Sequence, residues 1–133
     1  MIKDIDFRKV TDLAMAVTPE EDEAGTMWRV YLINLRNSPI DNVMVTSEGY
    51  GEVDGKPVKT SALRQFIEKI DADNFVILEL LPPELTTLNN QFWVSFWVDG
   101  VLYDKKYVFV TESINEEYFT TIPVIDKRGV MIK

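Results

Sequence analysis

The chain has 133 residues, 46% of them hydrophobic and 27% charged, which fits one globular domain able to bury about two thirds of its unfolded surface. Its 22 acids outnumber its 14 bases for a net charge of −8, and no basic stripe offsets the excess, so phosphate backbones and anionic membranes are repelled and neither is an expected partner. The lack of histidine and cysteine removes thiolate chemistry, Ser-His-Asp and Cys-His nucleophilic sites, and zinc sites built on imidazole or sulfur.

The opening MIKDIDFRKV mixes charges with apolar residues, as a short edge strand or an arm would, and has no uninterrupted apolar run of the kind an export signal needs. Together with the lack of cysteine this points to a cytoplasmic protein. In DLAMAV, Leu13, Met15 and Val17 share one side of a first strand. The acids of Thr18 to Gly25, set between Pro19 and Gly25, read as a solvated loop. Met27 to Leu35 is a strong strand with Trp28, Val30 and Leu32 on one face and Arg29, Tyr31 and Ile33 on the other. After a turn at Asn37-Ser38-Pro39, Ile40 to Tyr50 sets Val43 and Val45 against Met44 and Thr46, with Gly49 and Gly51 suggesting a bend or bulge.

A turn over Val53 to Pro57 leads into an ambiguous segment, Thr60 to Ile70. Leu63, Phe66, Ile67 and Ile70 fall at i, i+3, i+4 and i+7, the pattern of a short amphipathic helix, and an irregular strand is the alternative. Phe75 to Leu81 reads as a buried strand stopped by Pro82-Pro83.

Gln91 to Val110 is the clearest element. Asp99-Gly100 between aromatic and β-branched runs is the favoured pair for a tight hairpin turn. That register sets Val98 against Val101, Phe96 against Tyr103 and Phe92 against Tyr107 on a core face. Trp97, Ser95 and Trp93 then oppose Leu102, Asp104 and Lys106 on the other face. Lys105 falls opposite Val94 on the core face, which calls for a bulge near Asp104-Lys105 or a side chain that reaches out to water. In the tail, Ser113 to Glu116 reads as a capping box opening one helical turn through Phe119. Ile122 to Ile132 then reads as a small hairpin, with Gly129 supplying a positive-φ residue, lying over the apolar far end of the central hairpin at Tyr107 to Val110.

These elements predict an all-β antiparallel sandwich, immunoglobulin-like, of about seven strands over residues 1–110. A C-terminal extension of a helical turn and a hairpin, residues 111–133, packs on it.

Little in the chain carries catalytic chemistry. No glycine-rich phosphate loop occurs, and Glu79, Asp99 and Asp104 are not fixed at any catalytic separation. Asp71-Ala72-Asp73 begins like a calcium loop, but Val76 and Pro82 stand where its glycine and bidentate glutamate belong. No cofactor or metal is implied. The functional feature is the outward hairpin face of Trp93, Ser95, Trp97, Leu102, Asp104 and Lys106, with Lys106 opposite Trp93 at cation-π range. It suits a protein partner or a second copy of the chain; sugar rings or another small ligand are the alternative.

The stretches TSALRQF (60–66), LNNQFWVSFWVDGVLYDKKYVFV (88–110) and KRGVMI (127–132) resemble a family of small uncharacterised bacterial proteins, some of which bear a phenylalanyl-tRNA synthetase subunit name. The resemblance covers about the latter half of the chain and lies in turn and strand sequences, so it carries over no functional residue. The expected function is a non-catalytic interaction or assembly module; the alternatives are a carbohydrate or small-ligand binder and a non-catalytic accessory subunit of an enzyme.

Overall fold

The computed structural model describes residues 10–133, and the expected edge strand or arm at the start of the chain lies outside them for residues 1–9. Ten strands form two antiparallel sheets facing each other as a sandwich. They are β1 (Leu13–Asp22), β2 (Gly25–Asn34), β3 (Ile40–Val53), β4 (Lys56–Lys59), β5 (Leu63–Ile70), β6 (Asn74–Leu81), β7 (Asn89–Val98), β8 (Val101–Phe109), β9 (Thr120–Ile122) and β10 (Lys127–Ile132). The first sheet has the order β6-β2-β1-β10-β9; in the second, β3 carries β7 and then β8 on one side, and on its other side β4 and β5 in succession. Alternation drives the stacking. Leu13, Met15, Val17, Val30 and Leu32 of the first sheet meet Val43, Val45, Phe92, Val94 and Phe96 of the second in one fully buried core. Among the described residues, no helix is long and apolar enough to cross a membrane.

Several local expectations change. The acidic stretch is not a loop: β1 and β2 stay paired from Leu13↔Asn34 out to Asp22↔Gly25 and turn at Glu23-Ala24. Pro19 is tolerated because the β10 ladder on the other side of β1 stops at Val17↔Val130, where a missing N–H costs nothing. Glu20 accepts from the Arg29 guanidinium at 2.6 Å across the ladder.

Thr60 to Ile70 supplies a strand, not a helix. Gln65 pairs with Val45, Ile67 with Val43 and Ile70 with Ile40, all core-facing partners. Inward residues at 67 and 70 require a change of face between them. The register of β3 against β7 slips at the same level, between Asp41 and Met44, where Asn42 takes φ 48°. An edge strand that changes face after Ile67, with Phe66 turned outward, reproduces the i, i+3, i+4, i+7 spacing of a helix. The β3 irregularity therefore sits at Asp41–Val43 and not at Gly49, where the pairing with β7 runs unbroken, or at Gly51, which pairs in regular register with Val58 of β4. Gly49 and Gly51 instead admit Thr60 and Leu88 at close range.

β6 is an edge strand with Ile77 and Leu80 exposed, not a buried one. Lys105 keeps its inward register without a bulge, because its ammonium donates to the Val10 carbonyl at 3.0 Å and lies over the Tyr107 ring.

The tail is part of the sandwich and not an extension laid on it. β10 pairs with β1 and β9 completes the first sheet, and Val130 of β10 and the tail's Ile114 share the main core with Tyr107 and Phe109 of the central hairpin. Ile122, Ile125 and Met131 close a second small core over Ala14, Ala16, Tyr31 and Ile33 on the outer side of that sheet. The helical turn is the 3-10 segment Glu116–Tyr118, capped by Asn115, whose side chain accepts from the Glu117 amide; Ser113 instead donates to the Val110 carbonyl. Val124 and Asp126 supply positive φ in the β9–β10 turn, and Gly129 lies within strand β10.

Candidate functional site

The central hairpin builds one side of the candidate site. Asp99 and Gly100 turn with φ 49° and 74°, and β7 pairs with β8 in the register the sequence predicts: Trp97↔Leu102, Ser95↔Asp104 and Trp93↔Lys106. Alternation then sends Phe92, Val94, Phe96 and Val98 into the core and Trp93, Ser95 and Trp97 outward. The Lys106 ammonium lies 5.9 Å from the Trp93 ring centroid, within cation-π range.

The other side comes from β3 and β5, and it was not legible as part of the site. Met44 pairs with Ser95 on one flank and with Phe66 on the other, so Phe66, Met44, Ser95 and Asp104 form one row across four strands. Arg64, Thr46, Trp93 and Lys106 form the next row, and Lys69, Asp41, Trp97 and Leu102 a third. The apolar members stand well out of the surface: Phe66 is 62% exposed, Leu102 52%, Trp93 49%, Met44 46% and Trp97 40%. Phe66 is not legible as part of the site because a helical reading of its segment detaches it from β3. A strand reading puts it one strand away from Met44.

The result is a broad apolar sheet face with charges of both signs at its rim. Arg64, Lys69 and Lys106 stand among Asp41, Glu68 and Asp104, so the face is balanced on a chain of net charge −8. The sandwich alone buries none of these side chains deeply. Large solvent-facing aromatics gathered on one face mark an interaction surface more often than chance exposure does.

The carboxylates the sequence brought forward do not converge. Glu79 lies on the inner side of β6, Asp99 in the hairpin turn and Asp104 on the outer face of β8. Among the described residues, no group of three or more acids is placed to hold a metal ion. Burial pushes the Tyr107 hydroxyl well above its ordinary range, and that hydroxyl donates to the Leu13 carbonyl at 3.2 Å, which ties β8 to β1 inside the core.

Fold and surface together define an all-β, two-sheet sandwich with one open apolar sheet face. No family model matches the chain, and no curated protein matches it either.

Proposed function

We propose that this protein is a non-catalytic assembly module whose open face, carrying Trp93, Trp97, Phe66, Met44 and Leu102, docks on the same face of a second copy. The observation that carries this reading is the contiguity of those five exposed apolar side chains across four strands.

Charge favours a second copy as the occupant. A two-fold contact sets a patch against itself, so a patch of one sign repels its copy, whereas one holding Arg64, Lys69 and Lys106 with Asp41, Glu68 and Asp104 offers each sign its opposite. Elsewhere the excess of acids keeps two chains apart. The size is adequate. Four strands about 4.8 Å apart, averaging about 34 Å in length, present ~650 Å² of sheet plane, near the ~800 Å² each partner contributes to a stable interface. Faces of this kind stack in aligned or orthogonal sandwiches.

A carbohydrate platform has less support, because Lys106 already covers one ring face of Trp93 and a stacked sugar would have to displace it. A cytoplasmic setting accords with the lack of cysteine.

The test is the mass in solution by light scattering over a range of concentrations, for wild type and for Trp93→Ala with Trp97→Ala. A wild-type dimer and a folded monomeric double mutant are expected. A wild type that stays monomeric at every concentration, or a double mutant that stays dimeric, overturns the proposal.

A further inference from the structure

At one side of the sandwich the sheets part between edge strand β6 of the first and the β4–β5 edge of the second, leaving a cleft of about 250 Å³. Its construction is specific. Thr60 ends β4 by donating its amide to the Gly49 carbonyl, while its hydroxyl accepts from the Gly49 amide, both at 2.8 Å. Ser61 and Ala62 then lie outside any strand before β5 begins, with Ser61 on the cleft wall. At one end, Gln65 donates to the Leu78 carbonyl at 2.8 Å and ties the two sheet edges together. On the opposite wall, the amide nitrogen of Asn90 donates to the Leu85 and Leu88 carbonyls and holds the 3-10 turn Pro83–Thr87 against the opening. Gly49 leaves room here: a Cβ on it would stand 3.5 Å from Asn90 Oδ1, the acceptor left free of those bonds.

A carboxylate is turned into this cleft by an irregularity of the strand. Val30 pairs with Glu79 but Tyr31 pairs with Ile77, so β6 carries Leu78 as an extra residue. The bulge puts both Leu78 and Glu79 on the inner side, as the core position of Val30 shows; a regular strand would have sent Glu79 outward. Across the cleft, Ser47 of β3 faces Glu79, and its hydroxyl favours the ionised carboxylate. Burial raises the pKa of Glu79 and the nearby Ser47 hydroxyl lowers it by less. Among the described residues no cation pairs with Glu79, and Lys59 at the rim lies 3.8 Å from Glu48 instead. The floor beneath is Phe92, Leu81 and Leu85.

A partly desolvated carboxylate above an apolar floor, with hydroxyl and amide oxygens beside it, matches an ammonium group on a short hydrocarbon chain. We propose that this cleft binds a small primary amine, its ammonium held by Glu79, Ser47 and Asn90 Oδ1 and its alkyl part laid on Phe92, Leu81 and Leu85. A divalent cation is the poorer fit, since it would ask for several more oxygen ligands than one carboxylate and its neighbours offer.

The probe is n-pentylammonium chloride titrated into the full chain and followed by the backbone amide NMR signals, with n-pentanol and sodium chloride as controls. Saturable shifts at Gly49, Thr60 and Glu79 are expected with the amine and not with the controls. Glu79→Gln keeps the shape and removes the charge, and should weaken binding by about tenfold or more, the loss of one charge-assisted hydrogen bond. Ser47→Ala should weaken it less. No saturable shift with the amine overturns the proposal, as does equal binding of pentanol or undiminished binding by a folded Glu79→Gln variant. If that variant fails to fold, the contrast between amine and alcohol on wild type still decides.

Discussion

Gly129→Ala is a small change with a large expected effect. A Cβ on Gly129 would stand 2.3 Å from the Val17 carbonyl oxygen, 2.9 Å from Ile122 Cδ1 and 3.0 Å from Thr18 Cγ2. The first contact is with backbone, on the strand to which β10 is paired through Val17↔Val130, so no side-chain rotation relieves it and the two strands must move apart. Overpacking of this kind costs about 1–3 kcal/mol, and the small gain from restricting the unfolded chain, about 0.4–1 kcal/mol, offsets only part of it. With the β1–β10 pairing disturbed as well, a net loss near the upper end, about 3 kcal/mol, is expected. In urea that lowers the midpoint by about 1.5 M at a slope of ~2 kcal/mol per M. Gly55→Ala is the companion, since Gly55 has φ +76° and open space around it, and its cost should be limited to about 1 kcal/mol of backbone strain. A loss below about 1 kcal/mol for Gly129→Ala would refute the reasoning: β10 would then be loosely held, as an appended hairpin would be.

Two further outcomes follow from buried polar groups. Asn34 is fully buried, and its side-chain amide donates to the carbonyls of Ser38, Ile70 and Asp71 while its oxygen accepts from the Arg36 amide. Asn34→Ala strands all four and should cost about 3 kcal/mol or more in a denaturant melt, against about 1 kcal/mol for an exposed asparagine. Glu79 has a folded-state pKa above its unfolded value, so the folded state binds the extra proton. Its contribution to stability is therefore greatest at acid pH and falls as pH rises from the unfolded pKa through the raised folded one. Glu79→Gln should remove that decline and melt at or above the wild-type temperature at neutral pH; a clear loss of stability there would show that the ionised carboxylate is a structural requirement.

Legibility followed how local the determining forces were. The β7–β8 hairpin could be read to the residue because its register is set by the Asp99-Gly100 turn and by alternation that buries Phe92 and exposes Trp93. All six outward residues of that hairpin followed. Phe66 and Met44 did not, because their place depends on the pairing of β3 with β5 and on a change of face near Asp41 that no local rule announces. The acidic end of β1 reads as a loop because a run of charge commonly marks irregular backbone. An edge open to water tolerates acids, and a ladder that starts at Leu13 has no reason to stop at Thr18. The place of the tail was hidden for a plainer reason. Its partner β1 lies more than a hundred residues away in the chain, and only the tight passage at Gly129 hints at so close a neighbour. Glu79 is legible as an acid on a strand, but the bulge that turns it inward has no local signature in the sequence.

The pairing of β10 with β1 also bears on how the molecule is made. Among the described residues, every strand of the second sheet lies between Ile40 and Phe109, so these strands can pair while the chain is still being synthesised. The first sheet cannot close until Lys127–Ile132 have emerged and taken their place beside a strand made at the outset. During that interval the inner surface of the second sheet, with Phe92, Val94 and Phe96, lacks its full cover and its outer surface is already apolar. A nascent chain stalled short of β10 thus exposes two sticky surfaces where the finished protein exposes one, and truncation before Lys127 should yield aggregates and not a smaller folded domain.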